Sequence, residues 1–273
     1  MLATMRQNKV LALLEQSGAV RTKELADALG VVPETIRRDL EELEQSGLLR
    51  RIHGGAVIPS GGAIETPVFI RESTNRQVKD ELCRAAVGEL VNGDFIFVDN
   101  STTLLNLVRH VEEDKAVSIL TNSVRLLFEP KQHDKKNITM ISVGGILATH
   151  NMSLSGQFNE ETNGGLYPNK VFVSCTGFSL DIGFTDTSVF EINVKIKMMA
   201  VATKVIMVMD HSKFEQRGLV KIGDLRTCDV LIVDSLPSEA YRREMLAQHP
   251  ALKIIELGPD ATCGRQDAAL NAI

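Results

Sequence analysis

Pro33-Glu34-Thr35-Ile36-Arg37-Arg38-Asp39-Leu40-Glu41-Glu42-Leu43-Glu44, stopped by Gly47 and followed by Leu48-Leu49-Arg50-Arg51-Ile52-His53-Gly54-Gly55-Ala56-Val57, is the stretch that decides the N-terminal region. Pro33 suits the first turn of a helix, where a missing N–H costs nothing, and Glu34 beside it complements the helix dipole. Ile36, Leu40 and Leu43 form an inward stripe at helical spacing. At 100° per residue that stripe turns Glu34 and Arg38 directly outward, with Thr35 and Arg37 on either flank. Glu41, Glu42 and Glu44 fall at the far end of the helix and are expected in solvent. Beyond Gly47, Arg50, Arg51 and His53 sit on a short strand pair with a Gly-Gly tip.

Upstream, Val10, Leu13 and Leu14 recur at i, i+3 and i+4 within Met5–Ser17, and Gly18 ends the pattern. Thr22 is placed to cap a short helix whose Leu25 and Leu29 are closed by Gly30. Two helices joined by a tight turn, the second bearing Thr and Arg near its start, are what docking in a major groove requires. Arginine can bond a guanine edge bidentately or clamp phosphate. A basic hairpin beside them lies along phosphate or the minor groove. On a lone helix Arg37 and Arg38 would read as a solvated face paired with Glu34 and Glu41, and the hairpin shifts that balance. The candidate contacts to double-stranded DNA are therefore Thr22, Pro33, Glu34, Thr35, Arg37, Arg38, Arg50, Arg51 and His53.

The chain of 273 residues exceeds one typical domain, and its formal charge of -5 argues against nucleic acid only as an average. From Met1 to Val57 eight Lys/Arg balance eight Asp/Glu, so DNA contact has to come from local arginine placement. The absence of Trp, with only Tyr167 and Tyr241, disfavours a single-strand stacking platform. Cys83, Cys175, Cys228 and Cys263 have no C-x-x-C pair and no His at zinc spacing, so reduced thiols are expected and no metal or cofactor is implied. With no signal segment and no membrane-length apolar run, a cytoplasmic protein without membrane contact is expected.

Pro59-Ser60-Gly61-Gly62-Ala63 reads as a hinge. The expected layout is a winged helix-turn-helix over 1–58, a linker over 59–76, an α/β domain over 77–257 and a tail over 258–273. The larger domain opens with a helix from Lys79 to Val91 carrying Leu82, Ala85, Ala86 and Leu90. Short apolar runs then alternate with helical segments: Phe95–Val98, Val117–Leu120, Ile138–Val143, Val171–Val173, Val205–Met209 and Val230–Val233. Continuous apolar strands are buried on both faces, as in a mostly parallel, doubly wound α/β sheet.

The strand ends carry Asp99-Asn100-Ser101-Thr102-Thr103, Thr121-Asn122-Ser123, Gly144-Gly145, Ser174-Cys175-Thr176-Gly177 and Asp210-His211-Ser212-Lys213. Ligands of open α/β sheets bind outside the carboxyl ends of the strands. Ser101, Thr102 and Thr103 precede an expected Leu104–Val111 helix, whose free amides and dipole would favour phosphate. Lys213 adds a point charge, and the other hydroxyls suit sugar oxygens. Helix capping explains any one such loop equally well; five of them together with Lys213 favour an oxyanion site.

The run Thr35–Leu40, then Leu43-Glu44, Gly47–Arg51 and His53–Ala56, resembles the DeoR family of bacterial regulators. One departure is Val32, where the family usually has a capping serine. The larger domain is similar to the family's sensor domain, whose fold is that of ribose-5-phosphate isomerase and related sugar-phosphate enzymes. The resemblance implies effector contacts at Asp99, Asn100, Ser101, Thr102, Thr103, Thr121, Asn122, Ser123, Gly144, Gly145, Thr176, Gly177, Glu191, Lys195, Asp210 and Lys213, with Ser101 standing where the family commonly has glycine. It further implies a repressor of a carbohydrate-utilisation operon, a phosphorylated sugar effector and a homo-oligomer, dimer or tetramer.

The rival reading is a sugar-phosphate isomerase with a DNA-binding appendage. Isomerisation needs a carboxylate to shuttle a proton between adjacent carbons. The corresponding loop, Ser174–Phe178, has no acid, although Asp181 and Asp186 follow it. Cys175 reads better as a buried thiol than as a nucleophile. No catalytic residue is assigned, and a non-enzyme is expected.

Overall fold

The computed structural model describes residues 3–17, 19–45, 48–57, 68–149, 151–155, 165–188 and 191–258, which cluster into one unit up to Thr74 and another from Asn75. The predicted stops at Gly18 and Gly47, the Pro59–Ala63 breakers, Cys263 and the tail beyond 258 lie outside the described residues.

In the first unit, α1 (Ala3–Ser17), α2 (Thr22–Leu29) and α3 (Pro33–Gln45) close on a core of Val10, Leu11, Leu14, Leu25, Ile36, Leu40 and Leu43. Ile36, Leu40 and Leu43 form the predicted stripe, whereas in α1 Leu11 is buried and Leu13, like Leu29 of α2, is only partly so. Asp39 also faces inward, where both its carboxylate oxygens accept from Arg6 at 2.5 and 2.9 Å; this bidentate pair ties α1 to α3. Thr22 requires a correction. It is the first helical residue rather than the cap, and Arg21 precedes it without a side-chain cap bond. The Thr22 amide instead donates to the Gly54 carbonyl at 2.9 Å, so a hairpin turn satisfies one of the helix's orphan donors.

That hairpin is β2 (Arg50–Ile52) and β3 (Gly55–Val57). Ala19–Arg21 is a third antiparallel strand, β1, in the order β1-β3-β2. Gly55 pairs with Arg21, and a Cβ at 55 would stand 2.0 Å from the Val20 carbonyl oxygen. Close backbone approach, rather than the turn alone, demands glycine there. Helix α4 (Val68–Ser73) falls in the stretch read as linker.

The second unit opens with α5 (Arg76–Ala86), extended by a 3-10 turn to Glu89. Its main sheet is built from β4 (Phe95–Val98), β5 (Val117–Thr121), β6 (Ile138–Ser142), β9 (Lys170–Val173), β12 (Lys204–Met209), β14 (Val230–Val233) and β15 (Lys253–Glu256). All pairings are parallel, in the order β15-β14-β12-β9-β4-β5-β6. Alternate residues feed opposite faces. Phe97, Val171, Val173, Met207 and Leu231 enter one core with α8 (Ile192–Val201). Ile96, Val98, Phe172, Ile206 and Ile232 enter the other with α5. Burial on both faces is why these strands read as continuous apolar runs.

The chain leaves β4 toward β5 and β6, then returns to β9 on the other side of β4 and proceeds outward. The crevice between the carboxyl ends of β4 and β9 is thus the topological switch point, where ligands bind in sheets of this kind. The opposite ends of the same two strands are pinned: Lys170 and Asn169 both donate to Asp94, each at 2.6 Å. Two smaller elements flank the sheet. One is the hairpin β7 (Ile146–Ala148) and β8 (Ser153–Ser155); the other is the antiparallel set β10 (Gly177–Ser179), β11 (Gly183–Asp186) and β13 (Val220–Gly223). A short helix, α6 (Leu107–His110), α7 (Val124–Gln132) and α9 (Glu239–Gln248) complete the unit.

The helix expected over Leu104–Val111 is corrected to Leu107–His110 alone. A helix from Leu104 would give the Thr103 carbonyl to the Leu107 amide. That carbonyl instead accepts from the Cys83 thiol at 3.0 Å, and the Leu107 amide goes to Leu104. Ser101 to Thr103 therefore precede a succession of tight turns and not a helix N-terminus.

Candidate DNA-facing and ligand-facing sites

On α3, Glu34, Arg37 and Arg38 are exposed and Thr35 is half-buried. Arg37 donates to Glu34 at 2.7 Å along the helix surface; Arg38 makes no ion pair among the described residues. On the hairpin, Arg50 and His53 are exposed as expected. Arg51 is held back against α3, with its amide at 2.7 Å and its Nε at 3.3 Å from the Glu44 carboxylate and Nη1 at 3.8 Å from Glu41. Glu42 accepts from Gln7. The acids at the end of α3, read as merely solvated, thus position the hairpin and brace α1. Pro33 serves to open α3, and Thr22 lies between α2 and the hairpin turn.

At the switch point of the larger unit, Asp99 follows β4 and is buried. Its Oδ2 accepts from the Ser174 amide at the end of β9 (3.1 Å) and from Lys195 Nζ on α8 (2.7 Å). The same ammonium donates to Asp186 Oδ2 at 2.5 Å and to the Ser174 carbonyl at 2.8 Å. Burial alone would push Lys195 down, but Asp186 and Asp99 outweigh it and hold the ammonium charged well above its ordinary range. Thr176 donates to Asp186 Oδ1 at 2.9 Å.

After β12, Asp210 Oδ1 accepts from Asn75 at 3.1 Å and from the Ser212 amide at 3.0 Å. Burial pushes the Asp210 carboxyl up, yet nearby Lys213, Ser212 and Lys79 together hold it below the usual carboxylate range. Lys79, almost wholly buried on α5, reaches Thr102 Oγ1 at 3.1 Å. Thr103 is buried against Ser174, which donates to its hydroxyl at 3.3 Å.

Other predicted residues have structural roles. Ser123 caps α7 by accepting the Leu126 amide, and Thr121 donates to the Val98 carbonyl at 2.7 Å. A Cβ at Gly177 would stand 2.2 Å from the Gln216 carbonyl oxygen, so that glycine is required by packing. Gly144 and Gly145, both at positive φ, lead from β6 into the β7–β8 hairpin. Asn100 donates to the Asn151 carbonyl, and Glu191 accepts from Asn151 at 2.8 Å and Ser153 at 2.5 Å. Asn100 thus ties the hairpin to the end of β4, and Glu191 ties it to the start of α8.

Among the described residues four buried polar side-chain atoms have no hydrogen-bond partner: Asp99 Oδ1, Ser101 Oγ, Asn122 Oδ1 and Asp210 Oδ2. All lie at the carboxyl ends of β4, β5 and β12 in one sheet. Buried polar atoms are nearly always bonded, so these four are exceptions at the strand ends.

Sequence reasoning missed Asn75, Lys79 and Asp186 as contributors. Lys79 had a legible signal, since it falls on the buried stripe of Val78, Leu82 and Ala86. Cys175 is buried with its thiol pushed up by burial, which fits an inert side chain. Among the described residues no helix is long and apolar enough to cross a membrane. Among the same residues no group of three or more His, Cys, Asp or Glu is placed to hold a metal ion.

Comparison with known proteins gives consistent matches over both units. The model of the DeoR-like helix-turn-helix domain matches residues 6–61, and that of the DeoR C-terminal sensor domain matches residues 74–235. An HTH-type transcriptional regulator of Bacillus subtilis, YulB, is 34% identical over 86% of this chain and 90% of that protein. The glycerol-3-phosphate regulon repressor of Escherichia coli is 27% identical over 92% of this chain and 98% of its own. Among solved structures, ribose 5-phosphate isomerase A of Methanocaldococcus jannaschii superposes with a TM-score of 0.39 at 13% identity, covering 52% of this chain and 55% of that one.

Proposed function

This chain belongs to the DeoR family of transcriptional regulators, and from that premise we propose that it is a repressor of a carbohydrate-utilisation operon, released from operator DNA by a phosphorylated sugar. The outward face of α3 (Thr35, Arg37, Arg38) reads or positions on the major groove, while Arg50 and His53 hold the backbone. Two copies act together, because one helix-turn-helix buries too little surface for specific binding and paired half-sites mirror a two-fold axis.

The observation that carries the effector reading is the set of unpartnered buried atoms at the switch point, flanked by Lys79 and Lys213. A phosphate ester suits the lysines and its hydroxyls suit the orphaned oxygens. The name of the Escherichia coli relative, a glycerol-3-phosphate regulon repressor, supports a phosphorylated carbohydrate as the signal. We assign the larger unit sensing rather than turnover. The relatives carry regulator names.

Titrating pentose and hexose phosphates into the protein bound to DNA from upstream of its own operon tests the proposal. Release by at least one ester, in a complex whose affinity falls steeply with salt, is the expected outcome. Failure to bind that DNA, or binding that no phosphate ester weakens, overturns it. Effector affinity has to differ between bound and released states by about 1 to 3 kcal/mol for release to follow.

A further inference from the structure

Resting on the reading of the switch-point crevice as an effector site, we infer that Asp99 and Asp210 are its specificity-determining residues: they select a neutral, polyhydroxylated phosphate ester through hydroxyl donors and reject phosphorylated sugar acids. Each carboxylate is divided in its use. Asp99 Oδ2 is taken by Lys195 and the Ser174 amide, leaving Oδ1 buried and without a partner. Asp210 Oδ1 is taken by Asn75 and the Ser212 amide, leaving Oδ2 in the same condition. The held oxygens fix the direction in which the free ones point.

An ionised carboxylate oxygen only accepts hydrogen bonds. Phosphate oxygens and the carboxylate of a sugar acid also only accept, so neither satisfies Asp99 Oδ1 or Asp210 Oδ2, and a second anion there meets like charge. A sugar hydroxyl donates and satisfies either. Asn122 Oδ1, an amide oxygen that also only accepts and is also unpartnered, extends the same demand to the end of β5. Lys79 and Lys213, the cations beside this acceptor-lined part, are assigned the phosphate. A site built to bond a hydroxyl discriminates strongly against the analogue lacking it, because its own buried atom is then left unpaired.

Calorimetric titration of the full chain tests this, using a panel of neutral pentose and hexose phosphates, their monodeoxy analogues, the corresponding phosphorylated aldonic acids, and inorganic phosphate. In the unaltered protein the tightest ligand is expected to be a neutral ester, with its acid counterpart and at least one deoxy analogue roughly tenfold weaker or more. Asp210→Asn and Asp99→Asn present an N–H where the wild type presents only acceptors, and either variant is expected to narrow the gap against the acid at least severalfold. An acid that binds as tightly as its neutral counterpart, or deoxy analogues that all bind within twofold of the parent, overturns the inference while leaving the effector site standing. Absence of binding by every ester and by phosphate removes the site and this inference together. The ligand comparison on the unaltered chain decides the matter even if both variants fold poorly.

Discussion

Lys195 Nζ stands 2.7 Å from Asp99 Oδ2 and 2.5 Å from Asp186 Oδ2, so one buried ammonium serves two carboxylates carried by different strands. Removing it leaves two like charges facing each other out of water. Lys195→Met is therefore expected to destabilise the larger unit by about 3–5 kcal/mol at neutral pH. Burial pushes the Asp186 carboxyl up, but Lys195 outweighs it and holds the group below its ordinary value of 3.8. A depressed carboxyl contributes stability that is present above that ordinary value and lost as pH falls through the lower folded one. In the variant the sign reverses, since uncompensated carboxylates gain by taking up protons. Urea unfolding of both proteins at neutral pH and near pH 4 should show the deficit shrinking with acid; a deficit that grows would contradict this account.

Arg38 is the arginine of α3 left exposed without an ion pair among the described residues, whereas Arg37 is engaged by Glu34 at 2.7 Å. Arg38→Ala should cost about 1–3 kcal/mol in operator binding. Its unfolding should change by no more than about 0.5 kcal/mol, as at ordinary surface positions. Fluorescence anisotropy on upstream DNA measures the first and thermal unfolding the second. Wild-type affinity would remove Arg38 from the interface.

Periodicity made the central elements legible because both faces of β4, β9, β12 and β14 are buried, and α3 shows a clean apolar stripe. It did not reveal β1, β7, β8, β10, β11 or β13, each only three or four residues long. At that length alternation has no room to register. The strand-end residues do follow strands of the main sheet, but the sequence did not sort them by role. Capping explains Ser123, backbone packing explains Gly177, and hairpin anchoring explains Asn100 and Glu191. The helix at Leu104 failed where a thiol 20 residues upstream, Cys83, takes the Thr103 carbonyl. No local pattern carries a bond of that range.

Arg50 and Arg51 are adjacent, yet the hairpin gives them different surroundings. Both are exposed, but Arg51 also pairs with Glu44 and Glu41, whereas Arg50 makes no ion pair among the described residues. If Arg50 meets a phosphate, Arg50→Ala should lower the slope of log K against log salt by about 0.9, the value for one released counterion. Arg51→Ala should lower it by clearly less, because that guanidinium already has carboxylate partners. Equal losses in the two variants would show that Arg51 leaves α3 on binding DNA.

Lys213 lies on the 3-10 turn His211–Lys213 after β12, close enough to Asp210 to hold that carboxyl below its usual range against the pull of burial. It makes no ion pair among the described residues, so its charge is available to a ligand. Lys213→Ala should leave operator affinity within about twofold, since Lys213 belongs to the unit that does not carry the recognition helix. Losing a charge-assisted bond to phosphate, about 1.5–3 kcal/mol, should raise the effector concentration needed for release by about ten- to hundredfold. Competition titrations on preformed complexes read both quantities at once. Unchanged release would place the phosphate elsewhere, whereas weakened operator binding would mean that Lys213 supports the DNA-bound state itself. Only the expected pattern, grip retained and release lost, separates a residue that senses the ligand from one that holds the fold.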